Sequence, residues 1–319
     1  MSFAELLAHS CFSFLEGASQ PVELAERAVQ QRLSALALCD RDGLYGSVRL
    51  HVAAKRLKLP VIVGAELTLE TALAPAYAQH AVPTVALLVQ DSAGYGALCR
   101  LLTSAHAHSD KGQAAIPLAA ICEDACGLSA VVPWSLQHPL GEEQLGMLRD
   151  AFGARLSIAV WRHLRIDDEA RTKAAQRLAA QFEVPIVASN RPFYHHRSRK
   201  PLSDVLACIR LKTTLDEAGT RLTPNAEAEL KGARAMHKLF PHHPQWLAES
   251  IAIAERCTFS LSEVKYSFPS DYGASNLTAD ENLRRAVEVG CRERYPTGVP
   301  VDVAHQIDKE LSIIAQLQV

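Results

Sequence analysis

Seven short apolar runs, separated by segments of helical periodicity, occupy the first 190 residues and leave few folds open to this chain. They are FAELLAHS (3–10), LSALALCD (33–40), VIVGAEL (61–67), PTVALLVQ (83–90), LSAVVPW (128–134), RLSIAVW (155–161) and PIVASN (185–190). Between them, PVELAERAVQQR (21–32), YGSVRLHVAAKRL (45–57), SAGYGALCRLLTSAHA (92–107), GEEQLGMLRDAF (141–152) and DDEARTKAAQRLAAQF (167–182) repeat apolar residues at the spacing of one helix face. Near-continuous apolar strands alternating with amphipathic helices predict a parallel sheet covered by helices. Right-handed crossovers narrow this to a closed barrel or a doubly wound sheet, and spacing alone leaves both open. His9, Asp40 and Glu66 stand at the ends of the first three runs, so their side chains are expected to converge on one rim.

From about residue 200 the strand pattern stops. PLSDVLACIRLK, AELKGARAMHKLF, HPQWLAESIAIAERC and ADENLRRAVEVGCRERYP all read as helical. VAHQIDKELSIIAQLQV reads as a helix still running at Val319, with neither a glycine cap nor a proline stop, and so suggests a chain cut short.

With 319 residues and 48% hydrophobic content, the chain can bury a large core. Lys+Arg 33 against Asp+Glu 35 gives a net charge of −2, so no global basic field advertises nucleic-acid binding, and any such contact must be local or supplied by a partner. The eight cysteines are scattered and read as reduced, in a cytoplasmic protein; Cys122 and Cys126 lack the second pair that a structural zinc needs. No secretory leader is evident, and no run reaches the roughly 18 apolar residues of a membrane span. Phosphate-loop, dinucleotide and GxSxG fingerprints are all missing from the sequence, which removes the common nucleotide-binding and hydrolase classes.

HSCFSFLEGAS (9–19), ALALCDRDGLYGSVRLHVAAKR (35–56), VIVGAELTL (61–69) and HHRSRKPLSDVLACIR (195–210) resemble the PHP (polymerase and histidinol phosphatase) domain of bacterial C-family DNA polymerases, in the pattern of the error-prone branch. LTPNAEAEL, WLAESIAIAERCTFSLSEVKYSFP and LRRAVEVGCRERYPTGVP are similar to the helical connector ahead of the polymerase palm. The resemblance implies an α/β fold: a seven-stranded, TIM-like β/α barrel over 1–212, then an α-helical connector over 213–319, with the palm lying outside this chain. It implies work in DNA-damage-induced mutagenesis and translesion synthesis. The partners it implies are the remaining polymerase domains of the same polypeptide, DNA through the full-length polymerase, other mutagenesis proteins and the sliding clamp; no membrane is involved.

In PHP enzymes the barrel mouth holds divalent metals on histidines and carboxylates and cleaves phosphoesters with metal-activated water. Matched to that pattern, His9, Glu16, Asp40 and Glu66 are retained as vestigial metal candidates. The other ligand positions fall on Leu7, Arg41, Trp134, Arg191, Phe193 and Ser203. A guanidinium carries permanent positive charge and forked donors, so Arg41 and Arg191 are expected to stand where metal charge once stood, bonding Glu16, Asp40 and Glu66. No cofactor is then expected in this chain, with Mn, Zn or Mg at a degraded site as the alternative. The Asp167–Asp168 pair and Asp302 do not resemble the aspartate cluster of the palm, so the chain alone is expected not to polymerise DNA. A metal-dependent phosphoesterase or nuclease, or a truncated non-catalytic interaction module, are the competing functions. Arg197, Arg199 and Lys200 in HHRSRK are candidate phosphate contacts, against the plainer reading of a solvated helix start. The adjacent pairs His195–His196 and His242–His243 point to different sides and are assigned surface or packing roles.

Overall fold

The apolar runs form strands and the amphipathic segments form helices in the order the periodicity dictates. The computed structural model describes residues 2–70, 82–107, 109–110, 112–137, 139–264 and 277–317. In chain order the elements are β1 (Ala4–Ala8), α1 (Pro21–Gln30), β2 (Ala35–Arg41), α2 (Ser47–Leu57), β3 (Val61–Thr68), β4 (Thr84–Val89), α3 (Ser92–Ala107), α4 (Leu118–Glu123), β5 (Leu128–Pro133), α5 (Glu142–Phe152), β6 (Leu156–Val160), α6 (Asp168–Phe182) and β7 (Ile186–Ala188). There follow α7 (Lys200–Leu211), α8 (Leu215–Ala218), α9 (Ala233–Leu239), α10 (Pro244–Arg256), α11 (Ala279–Arg294) and α12 (Val301–Leu317).

The seven strands pair in sequence order, β1 to β7, and the sheet curls into a half-barrel. Its ladders are parallel except at β4, which runs antiparallel to both β3 and β5. The wholly parallel sheet expected from the sequence is therefore corrected to a mixed one. Apolar continuity reports burial on both faces, and it is blind to strand direction. The reversal has a local consequence, because Thr84 at the start of β4 pairs with Thr68 at the end of β3 and so joins the rim.

One face of the sheet packs under the helices through residues such as Leu36, Leu38, Leu87, Leu98, Leu145 and Ala175. The other face is built largely from small side chains, Ala4, Ala35, Ala37, Ala86 and Ala159 among them, and it receives Ile253 and Cys257 at the end of α10. Small residues there leave room for a helix against the sheet, and α10 lies across β1 and β7. The first compact unit accordingly runs from Met1 to Glu263 and includes α7–α10.

AELKGARAMHKLF at 228–240 is only partly helical, contrary to its periodicity. Glu229 makes a parallel bridge to Tyr194, and the helix begins at Ala233, after Gly232. Tertiary pairing with the chain after β7 takes precedence over the local pattern. The second unit, Val264–Val319, contains α11 and α12, with Thr278 and Glu281 forming a capping box at the start of α11. No helix among the described residues is long and apolar enough to cross a membrane.

The loop between β1 and α1, which presents the first rim residues, folds tightly on itself. Ser13 and Cys11 donate backbone N–H groups to Ser10 and Ser19, and Ala18 donates to Phe193. A Cβ at Gly17 would lie 1.8 Å from the Ser10 carbonyl oxygen, a backbone atom that cannot swing aside. Gly17→Ala is expected to destabilise the first unit by about 1–3 kcal/mol, the usual cost of overpacking, as read by urea denaturation.

Candidate functional site

The rim is organised around one fully buried carboxylate, Glu66 on β3. Its Oε1 accepts from Thr84 Oγ1 at 2.7 Å and from Arg191 Nη2 at 2.5 Å, and lies 3.3 Å from Arg41 Nη1. Its Oε2 lies 3.2 Å from His9 Nε2. Arg41 also reaches Glu16 at 3.5 Å. Burial alone would push the Glu66 carboxyl up, but the charges of Arg191 and Arg41, with the hydrogen bond and charge of His9, outweigh it and hold the group well below the usual carboxylate range. Burial works against the Arg41 charge too, and Glu16, Glu66 and Asp42 more than compensate, leaving the guanidinium more firmly protonated than usual.

Asp40 is brought to the same rim but is held differently. Its Oδ1 accepts from the Ser10 N–H at 2.7 Å and from Ser13 Oγ at 2.8 Å, and its Oδ2 from Ser10 Oγ at 2.7 Å. The expected arginine contact to Asp40 is therefore corrected: serines of the β1–α1 loop satisfy both oxygens. Gly46 keeps this arrangement open, since a Cβ there would stand 2.7 Å from Asp40 Oδ2. The His9 ring bonds Ser13 Oγ through Nδ1 at 3.1 Å and stacks on Phe193 with ring centres 4.8 Å apart.

Arg191 follows β7 with φ +44°, the left-handed region that a non-glycine residue rarely adopts. Its N–H donates to Ser189 Oγ at 2.7 Å, and the guanidinium stacks over Trp161 and Phe193 at 5.0 and 5.6 Å. Ser189 Oγ in turn donates to Glu5 at 2.5 Å, and the Asn190 N–H donates to the same carboxylate at 2.8 Å. Glu5 is fully buried on β1, and burial pushes its carboxyl up against the opposing pull of these donors. Backbone strain held by a surrounding network marks a position fixed for its side chain.

Beside this cluster opens a cleft of about 290 Å³ lined by Glu16, Arg41, Thr84, Trp161, His163, Arg191, Phe193 and Ser203, among others. Of the positions matched to family ligands, Glu16, Arg41, Arg191, Phe193 and Ser203 face the cleft, while Leu7 and Trp134 are buried. His163 Nε2–H donates to the Asn190 carbonyl at 2.7 Å, and burial pushes this ring down to about 4, so it is neutral at pH 7.

The basic stretch after β7 is already paired within the protein. Arg197 bonds Glu229, Arg199 bonds Glu23, and Lys200 bonds Asp204 at 2.6 Å. His195 bonds Ser19 at 2.7 Å, and His243 stacks on Trp246 at 3.7 Å. Sequence reasoning did not single out Glu5, Ser10, Ser13, Thr84 or the outer arginines of the cleft. Only Glu5, an acid inside an otherwise apolar strand AELLA, carries a local signal.

The PHP domain profile matches residues 5–177. The chain is 43% identical over 276 residues to a protein of Anaeromyxobacter dehalogenans strain 2CP-1 named Error-prone DNA polymerase, covering 84% of this chain and 23% of that protein. It is 37% identical over 315 residues to a protein of the same name from Pseudomonas fluorescens Pf0-1, covering 99% of this chain and 29% of the relative. The chain thus spans less than a third of the length of these curated relatives, 23% of one and 29% of the other. A solved structure from Bifidobacterium adolescentis, named as a metal-dependent phosphoesterase, superposes with TM-score 0.43 at 16% identity over 60% of this chain and 87% of the other.

Glu66→Gln strips the neutralising charge from two partly buried guanidiniums and is expected to cost about 3–5 kcal/mol at pH 7. The wild-type Glu66 carboxyl is held below its ordinary value of 4.5, so its contribution is complete above that pH and is lost as pH falls through the depressed value. Urea denaturation at pH 7 and at successively lower pH should show the gap between wild type and variant closing with acidification.

Proposed function

This chain belongs to the PHP domain family, and from that membership we propose that it is the PHP region of an error-prone DNA polymerase, with a metal site that has become a structural ion-pair cluster. The observation that carries the reading is the placement of Arg41 and Arg191, both on family ligand positions, against the buried Glu66 carboxylate. A divalent cation needs unprotonated lone pairs turned toward a shared point. Here Asp40 has both oxygens occupied by serine donors, and Glu66 Oε1 receives Thr84 and Arg191 and lies beside Arg41. A metal placed among these groups would meet two fixed positive charges, so the donor set as arranged does not fit one.

On this reading the barrel braces the remaining domains of a longer polypeptide and meets DNA through them. Its setting is cytoplasmic, in translesion synthesis and induced mutagenesis, with other mutagenesis proteins and the sliding clamp engaged by the whole polymerase. The relatives' shared name and their greater length support the assignment. The metal-dependent phosphoesterase reading draws on the same family, but it requires the ligand positions now held by Arg41, Arg191 and Phe193.

Protein purified from medium containing Mn and Zn is expected to carry well under one metal per chain by elemental analysis. Arg41→Ala should lower stability by about 3–5 kcal/mol, the usual result of removing one partner from a buried pair. Stoichiometric metal together with an unaffected Arg41→Ala variant, or Mn-dependent phosphodiesterase turnover, overturns the reading.

A further inference from the structure

The second unit carries two helices without a core of their own. Among the described residues of α11 and α12, none is buried. Between the helices lies a groove of about 510 Å³, lined by Val287 and Cys291 of α11, Tyr295 just after it, and Ala304, Ile307 and Leu311 of α12. The spacing is i, i+4, i+8 along the first helix and i, i+3, i+7 along the second, so each turns one apolar stripe toward the groove. These side chains all remain at least partly exposed. Helices draw most of their stability from packing such a stripe, and here that contact is left to a further element.

The charges around the groove indicate what that element is. The lining includes Arg284 and Arg292 together with Glu288 and Asp308. Arg284 and Asp308 bridge the two helices at 3.5 Å, and both stay largely exposed. A groove in which the two signs balance selects neither an acidic nor a basic partner, and is matched by a surface like itself. Along α11 the signs are separated, with Asp280 and Glu281 in the first turn and Arg292 and Arg294 in the last. A second α11 laid antiparallel therefore sets carboxylates against arginines at both ends, whereas a parallel copy would set like against like. Centred on Ala286, the antiparallel arrangement also places Arg284 opposite Glu288 of the second copy.

We propose that the α11–α12 hairpin is a self-association surface, two copies pairing antiparallel about a two-fold axis to form a four-helix bundle. Each copy supplies the apolar stripe that the other lacks. Two helices of this length side by side present a face about 24 Å long and about 20 Å wide, so pairing buries on the order of 1,000 Å² in total. That area stands at the lower bound for a specific interface and suits a reversible dimer.

Sedimentation equilibrium of the whole 319-residue chain, under reducing conditions, is expected to show a monomer–dimer equilibrium with a dissociation constant on the order of 10 µM. Val287→Glu places a carboxylate in the groove and should raise that constant at least about tenfold. Crosslinking separates lost pairing from lost folding. Val287→Cys oxidised with diamide should give a covalent dimer on a denaturing gel. Val289 lies on the outer side of α11 and is 47% exposed, so Val289→Cys should behave like wild type. A chain that is monomeric at about 200 µM overturns the proposal, in favour of a further segment of a longer polypeptide in the groove. A dimer that Val287→Glu leaves intact, or equal crosslinking of Val287→Cys and Val289→Cys, overturns it as well.

Discussion

A carboxylate with no solvent around it must be answered by charge or by protonation, and at Glu66 it is answered by charge from both ends of the strand order. Arg41 arrives from the end of β2, Arg191 from just after β7, His9 from just after β1 and Thr84 from the start of β4. One side chain on β3 is therefore the meeting point of four other segments. Removing a charge from water costs several kcal/mol, recovered only where partners are fixed in place, and that is why the surroundings of Glu66 are so strongly constrained. The left-handed backbone at Arg191, the serines around Asp40 and the tight turn at Gly17 all follow from bringing these ends to one point.

Strand and helix positions were legible because burial imposes period and length on the sequence. All seven apolar runs became strands, and the five amphipathic segments between them became helices close to the expected limits. Direction was not legible: TVALLV is equally apolar whichever way it runs, and β4 runs opposite to its neighbours. The extended stretch at Glu229 was hidden for a related reason, since its pairing with Tyr194 depends on a segment 35 residues earlier in the chain. At the rim, the expectation that Arg41 and Arg191 reach Glu66 rested on their charge, and both lie against it. The same reasoning misplaced Asp40, because serine hydroxyls and a backbone N–H satisfy a carboxylate without leaving any charge signal in the sequence.

The mouth has two chemical layers. In the inner one, the buried Glu66 carboxylate meets His9 and the two partly buried guanidiniums of Arg41 and Arg191. The outer one has Arg165, Arg171, Arg210 and Arg221 around the cleft, of which Arg171 is buried and Arg221 exposed. An inner layer of ion pairs gives the outer arginines a fixed base and so helps to determine where charge is displayed. Screening by salt acts mainly on exposed arginines such as Arg221, and the pairs to Glu66 are shielded by its burial.

The sheet reaches β7 without a ladder back to β1 among the described residues, yet neither edge is left bare. Glu5 on β1 takes the Ser189 hydroxyl and the Asn190 N–H following β7, and the His9 N–H donates to the Pro192 carbonyl. On the same edge, Ser250 of α10 accepts the N–H of Ala4. Side chains thus occupy donors that another strand would otherwise pair with. Among the described residues, these contacts cover part of the seam between first and last strand and leave less of it for a foreign β-strand to pair with.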